Sequence, residues 1–184
     1  MPKTIHVPAI DIFDNERYQF VTTKPTDIVI EHSLISISKW ESKWHTSFLK
    51  ATEDKTLTNE QIEDYIKFMT IGRLAPDDVY HYMPVETVEE IFEYINDPMT
   101  ATTIRDLKKP TGAKPIITNE LVYCWMANYQ LPFEVCEKWH FNRLMMLIRV
   151  CEEKSNPKQM SRKETADYYK ALNAARRAKY HTKG

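Results

Sequence analysis

The chain has 184 residues, enough for one domain with a small appendage, and its 42% hydrophobic and 28% charged content is that of an ordinary globular protein. It opens without a charged-then-apolar leader and holds no run of about 18 apolar residues, so an intracellular setting away from membranes is expected. Three glycines stand against 10 prolines; Gly72, Gly112 and Gly184 are isolated, and neither GxGxxG nor GxxxxGKS/T occurs, which excludes the common phosphate-cradling loops.

The net charge of −1 is unevenly spread. From Asn156 to Gly184, eight basic residues (Lys158, Arg162, Lys163, Lys170, Arg176, Arg177, Lys179, Lys183) face two acids (Glu164, Asp167), a net of +6 that leaves −7 on the rest. An acidic body with a basic tail can attract an acidic partner, a second copy of itself, or nucleic acid.

In chain order, TIHVPAIDIF (Thr4 to Phe13) alternates imperfectly around Pro8, whose missing amide hydrogen suits an edge strand or a bulge. RYQFV (Arg17 to Val21) and DIVIEHSLISIS (Asp27 to Ser38) are rich in β-branched residues, with a turn between them. Ile28 and Ile30 share one parity, Ile35 and Ile37 the other, which implies two strands or one bent near Glu31 to Ser33. An antiparallel sheet of three or four strands is the expectation.

Beyond Trp44 the period becomes helical. Thr58-Asn59-Glu60-Gln61 reads as a capping box, followed by Ile62, Tyr65, Ile66 and Met69 at helical spacing. Val88, Ile91, Phe92 and Ile95 repeat the pattern before Pro98. Met99 to Pro115, with a KKPTGAK centre, reads as a loop whose Lys108, Lys109 and Lys114 could meet phosphate. A third helix is capped by Thr118 or Asn119 and runs to about Gln130. A fourth begins at Pro132 and runs to about Lys154, with Phe133, Cys136, His140, Leu144, Leu147 and Cys151 in one stripe. Ser161-Arg162-Lys163-Glu164 caps a last, basic helix carrying Tyr168, Ala171, Leu172 and Ala175 on one side. The expected fold is α+β: a small N-terminal antiparallel β-sheet packed on a C-terminal helical body of about five helices. One domain covers 1–155, β-rich over 1–45 and helical over 46–155, and 156–184 forms a basic helix or tail.

Chemistry-bearing groups are few. Cys136 and His140 lie four apart on one helix face, a spacing that serves two metal ligands or a thiol–imidazole pair, but no further ligand or elbow motif completes either set. Cys124, Cys136 and Cys151 read as reduced core thiols, and His140 as a hydrogen-bonded core imidazole. Asp77-Asp78 and Glu89-Glu90 are adjacent pairs on turn or exposed helix sequence, whereas catalytic carboxylates must converge across a cleft. The YHYM stretch from Tyr80 to Met83 reads as a loop that packs its own aromatics. No catalytic set, metal site or cofactor is expected.

ISISKWESKWH (Ile35 to His45) reads as the last strand running into a short helix or helical turn, with Trp40 and Trp44 on one face and Glu41 and Lys43 away from it. A pin between sheet and helices is the leading reading, because tryptophan buries a large area. A partner-binding hot spot is the second and ligand stacking the third. The candidate partner-binding residues are therefore Trp40 and Trp44 together with the basic cluster Arg176, Arg177 and Lys179.

Three stretches, EHSLISISKWESKW (Glu31 to Trp44), NDPMTAT (Asn96 to Thr102) and LPFEVCEKWHFNRLMMLIRVCEEKSNPKQMS with the closing ALNAARRAKYHTKG, resemble small proteins encoded in the tail region of tailed bacteriophages of Gram-positive hosts, the tail assembly chaperones of the long-tailed, non-contractile type. That resemblance implies a non-enzymatic factor in the host cytoplasm. Such a factor binds the helical tape-measure protein, keeps it soluble and helps tail-tube subunits polymerise around it. It also implies self-association, absence from the finished virion and, often, a second frameshift-extended product. It supplies no binding residues for numbered positions. A permanent virion part, such as a head–tail connector or minor tail protein, is the alternative, followed by a nucleic-acid-binding protein using the basic tail.

Overall fold

Alternation sets the first strands. In β1 (Lys3–Val7) Ile5 and Val7 are buried while Thr4 and His6 are exposed, and in β4 (Thr26–Ile30) Ile28 and Ile30 are buried while Asp27 and Val29 are exposed. The two pair antiparallel with Ile5 opposite Ile28, so one face enters the core and the other carries a 2.7 Å contact between His6 and Asp27. Between them in sequence, β2 (Asp11–Asp14) and β3 (Gln19–Thr22) form a second antiparallel pair, Phe13 opposite Phe20. The computed structural model describes residues 1–14, 18–102 and 116–155, together with positions 166, 169–171, 173 and 177.

The protein is α+β, but the expected sheet of three or four strands is two separate two-stranded sheets. Pro8 has no amide hydrogen to continue the β1 ladder, and the chain leaves it to build the inserted hairpin. That hairpin is closed at its base by Thr23 N–H to Ile10 O (2.8 Å) and Ile10 N–H to Thr23 Oγ1 (2.9 Å).

The second correction concerns ISIS, which is helical. Ser33 is an N-cap whose Oγ accepts from Ser36 N–H, and α1 runs Leu34–Trp44, ending at His45 in the left-handed conformation. The parity change between Ile30 and Ile35 marks the end of a strand and the start of a helix. Leu34, Ser36, Ile37, Trp40 and Glu41 are its buried members, with Leu34, Ile37 and Glu41 at helical spacing.

The helical body continues with α2 (Phe48–Glu53), α3 (Asn59–Met69), α4 (Asp77–His81), α5 (Val85–Asn96), α6 (Asn119–Asn128), α7 (Phe133–Cys136) and α8 (Phe141–Ser155). The α3 capping box forms as its sequence dictates, with Thr58 and Gln61 exchanging both bonds. After α3 the chain runs along β4: Glu31 N–H donates to Met69 O (2.9 Å) and Ile71 N–H to Val29 O (2.7 Å), which occupies that strand's outer edge.

The single helix expected from Pro132 to Lys154 is broken into α7 and α8. Residues 137–140 are drawn to the loop before α1, where Phe141 N–H donates to His32 O (2.7 Å) and Ser33 forms an isolated bridge with His140. Asp77 and Asp78 open α4, the helical one of the two placements expected for them, and the same helix makes YHYM partly helical. Its Tyr80 is buried, while Tyr82 is exposed. Of the three cysteines expected in the core, Cys136 is buried, Cys151 half-buried and Cys124 exposed.

The chain divides into two compact units, Met1–Val150 and Cys151–Gly184. The first has one hydrophobic core, in which Ile5, Ile30, Leu34, Trp40, Ile91 and Leu144 are wholly buried. Each such aliphatic side chain contributes about 1.5–3 kcal/mol relative to exposure. In the second, residues 151–155 end α8, and the six described positions from 166 to 177 are helical and exposed. Lys108, Lys109 and Lys114 of the expected loop lie outside the described residues.

Candidate partner-binding surfaces

Trp40 and Trp44 hold α1 against α3. Trp40 is wholly buried, donates from Nε1 to Gln61 O at 2.9 Å and meets Phe48 edge-on at 5.2 Å between centroids. Trp44 is partly buried and donates from Nε1 to Asp64 Oδ2 at 3.0 Å, while Lys43 pairs with the same carboxylate and lies 5.2 Å from the Trp44 ring centre. The pin thus joins helix to helix, not sheet to helix. Of the basic cluster, Arg177 is helical and exposed; Arg176 and Lys179 lie outside the described residues.

Two carboxylates and two imidazoles sit at the heart of the body, among them Glu41, which the sequence pattern places away from the Trp face. Glu41, on the apolar side of α1, is buried and accepts three bonds: Phe48 N–H on Oε1 at 2.9 Å, and Asn119 N–H and Nδ2–H on Oε2 at 2.8 and 2.6 Å. Phe48 and Asn119 are the first residues of α2 and α6, so one side chain satisfies orphan amide donors at two helix starts, where negative charge is favoured. Its place one turn after Ile37 in the apolar stripe was the available signal. Glu31, also buried, accepts from Tyr94 Oη at 2.7 Å.

His140 donates from Nε2 to Tyr94 O (3.1 Å) and accepts Asn142 N–H at Nδ1 (3.3 Å), which defines a neutral imidazole. Burial lowers its pKa, outweighing the hydrogen bond to Tyr94 O, which acts to raise it. His32, whose ring centre is 5.1 Å from that of His140, has its Nδ1 2.6 Å from Tyr65 Oη, and burial, helped by His140, takes it down to about 3. Burial likewise raises the Cys136 thiol and the Tyr65 phenol. A protonated thiol and neutral core imidazoles do structural work here: the imidazoles fill space and hold backbone. Among the described residues no group of three His, Cys, Asp or Glu is placed to hold a metal ion.

Two surface features have the opposite character. The β2–β3 hairpin exposes Phe13 (44%), Tyr18 (83%), Phe20 (72%) and Val21 (42%). Phe13 meets Phe20 edge-on at 5.2 Å and Tyr18 at 6.4 Å, and because Phe13 and Val21 stand on neighbouring pairs both faces carry apolar surface. Secondly, α3, α4 and α5 enclose a groove of about 880 Å³ lined by Ile62, Ile66, Met83, Val85 and Val88, with Glu60 and Glu63 on its rim. Burial pushes the Glu63 carboxyl up, but hydrogen bonds from Lys67 (2.9 Å) and His81 (3.1 Å) outweigh it and hold it below its usual range.

Comparisons with family models, curated proteins and solved structures find nothing that matches this chain. Fold and surfaces define an α+β protein whose ionisable groups are used inside and whose apolar surface is partly outside. No helix among the described residues is long and apolar enough to cross a membrane.

Proposed function

We propose that this chain is a non-enzymatic tail assembly chaperone of the long-tailed phage type, which binds the tape-measure protein, keeps it soluble in the host cytoplasm and self-associates while tail-tube subunits polymerise. The observation that carries the reading is the exposed aromatic hairpin. An isolated two-stranded hairpin is marginal in water, and one with apolar residues on both faces gains by being covered. A tape-measure helix has the complementary need, an apolar stripe that aggregates until the tube encloses it. Pressing Phe13, Tyr18 and Phe20 against such a stripe removes apolar area from water at about 25 cal/mol per Å². The resemblance in three sequence blocks supports the same assignment, as does the structural use of Cys136, His32 and His140.

Co-expression with the tape-measure protein of the same genome tests it. The expected result is a rise in soluble tape-measure protein and its recovery in a complex with this chain. Equal insolubility with and without the chain contradicts the proposal, and stoichiometric presence in purified virions favours a structural tail part.

A further inference from the structure

The acidic excess of this protein lies in one sector. From Asn59 to Asp97, the stretch that builds α3, α4 and α5, ten Asp and Glu stand against Lys67 and Arg73, a net of −8. Residues 156–184 carry +6, and everything else sums to +1. Nearly all of the charge imbalance is therefore held by two segments of opposite sign.

The acidic sector also has the right relief. Its groove has an apolar floor of Ile62, Ile66, Met83, Val85 and Val88, with Val85 68% exposed. Lys67 and His81 engage Glu63, Lys67 reaches Asp77, and Lys3 pairs with Glu90. Glu60, which lines the groove with Glu63, and Asp78, Glu86, Glu89 and Glu93, elsewhere on the same three helices, form no ion pair among the described residues. The basic segment has the matching pattern: Tyr168, Ala171, Leu172 and Ala175 recur at helical spacing, with Lys170, Arg176, Arg177 and Lys179 around them.

We propose that the α3–α4–α5 groove seats the basic C-terminal segment, residues 156–184, of a second copy of this chain. The small apolar stripe of that segment lies on the groove floor, and its Arg and Lys side chains meet the acidic rim. Such a contact joins two different surfaces, so each copy offers one groove and one tail, and repetition gives a ring or an open filament. The inference rests on the self-association contained in the functional reading and names its two surfaces; it does not depend on the client.

The test is light scattering after size exclusion on the full chain. At about 50 mM salt the protein should form oligomers, and these should dissociate as salt rises, because exposed pairs are screened. E60K/E63K, at the two acidic residues that line the groove, and R176E/R177E should each weaken association by about tenfold or more. Mixed together, the two variants should associate again, through the unaltered tail of one and the unaltered groove of the other. A Tm for each variant close to that of wild type separates lost contact from lost fold. A wild-type monomer at low salt, association indifferent to both pairs of substitutions, or a mixture that stays dissociated would each overturn the proposal. Intact association without solubilisation of the tape-measure protein would sink the functional reading and leave this one standing, whereas a chain that solubilises it and still associates, indifferent to both pairs of substitutions, would sink this one alone.

Discussion

The body around α1 and the β2–β3 hairpin invert each other. Around α1, Glu31, Glu41, His32 and His140 are inside and bonded, and among the described residues no buried side-chain nitrogen or oxygen lacks a partner. On the hairpin, Phe13, Tyr18 and Phe20 are outside, touching mainly one another. A buried carboxylate is tolerable only when donors converge on it, as two helix starts do on Glu41, so these polar groups fix where α1, α2 and α6 meet. An exposed aromatic cluster fixes nothing in the monomer. Its energy is available to a partner.

The strongest way to break the contrast is through Glu41. Glu41→Gln replaces one acceptor oxygen with a donor, so at least one of the Phe48 and Asn119 amides loses its partner. The expected cost is about 3 kcal/mol, or about 10 °C in Tm, read by thermal denaturation. An unchanged Tm would remove Glu41 from its structural role.

Acid probes the same region more gently. His32 and His140 have folded-state pKa values below the ordinary imidazole value, so their contribution to stability is fully present above about pH 6.5 and is lost as pH falls below it. Each imidazole lowers stability by up to about 1.4 kcal/mol per pH unit in that range, for His32 down to its folded value of about 3. Tm should therefore fall between pH 7 and pH 5, and a Tm that holds or rises there would contradict the assignment of both as neutral core groups. Smallest of all should be the effect on stability of removing the hairpin aromatics, because they bury little in the monomer.

Legibility in the sequence followed how local each determinant was. The α3 capping box, the α5 periodicity and the start of α6 at Asn119 are written in neighbouring residues, and all three formed. ISIS misled because alternation over four residues fits a strand, while the deciding N-cap bond at Ser33 and the stripe of Leu34, Ile37 and Trp40 extend beyond that window. The break between α7 and α8 was invisible, since it depends on residues 137–140 bonding a loop about 100 positions earlier in the chain. The exposure of Phe13 and Phe20 was equally hidden, because an apolar strand pattern says that surface will be covered without saying by what.

One measurement bears most directly on the central claim that the hairpin is a binding surface. Wild type and the F13S/F20S variant would each be co-expressed with the tape-measure protein, scored for soluble complex, and melted alone. The account predicts that the variant loses the complex by about tenfold or more while its Tm stays within about 2 °C of wild type. A variant that captures the tape-measure protein as well as wild type, at unchanged Tm, would show that the hairpin is not the surface that binds it.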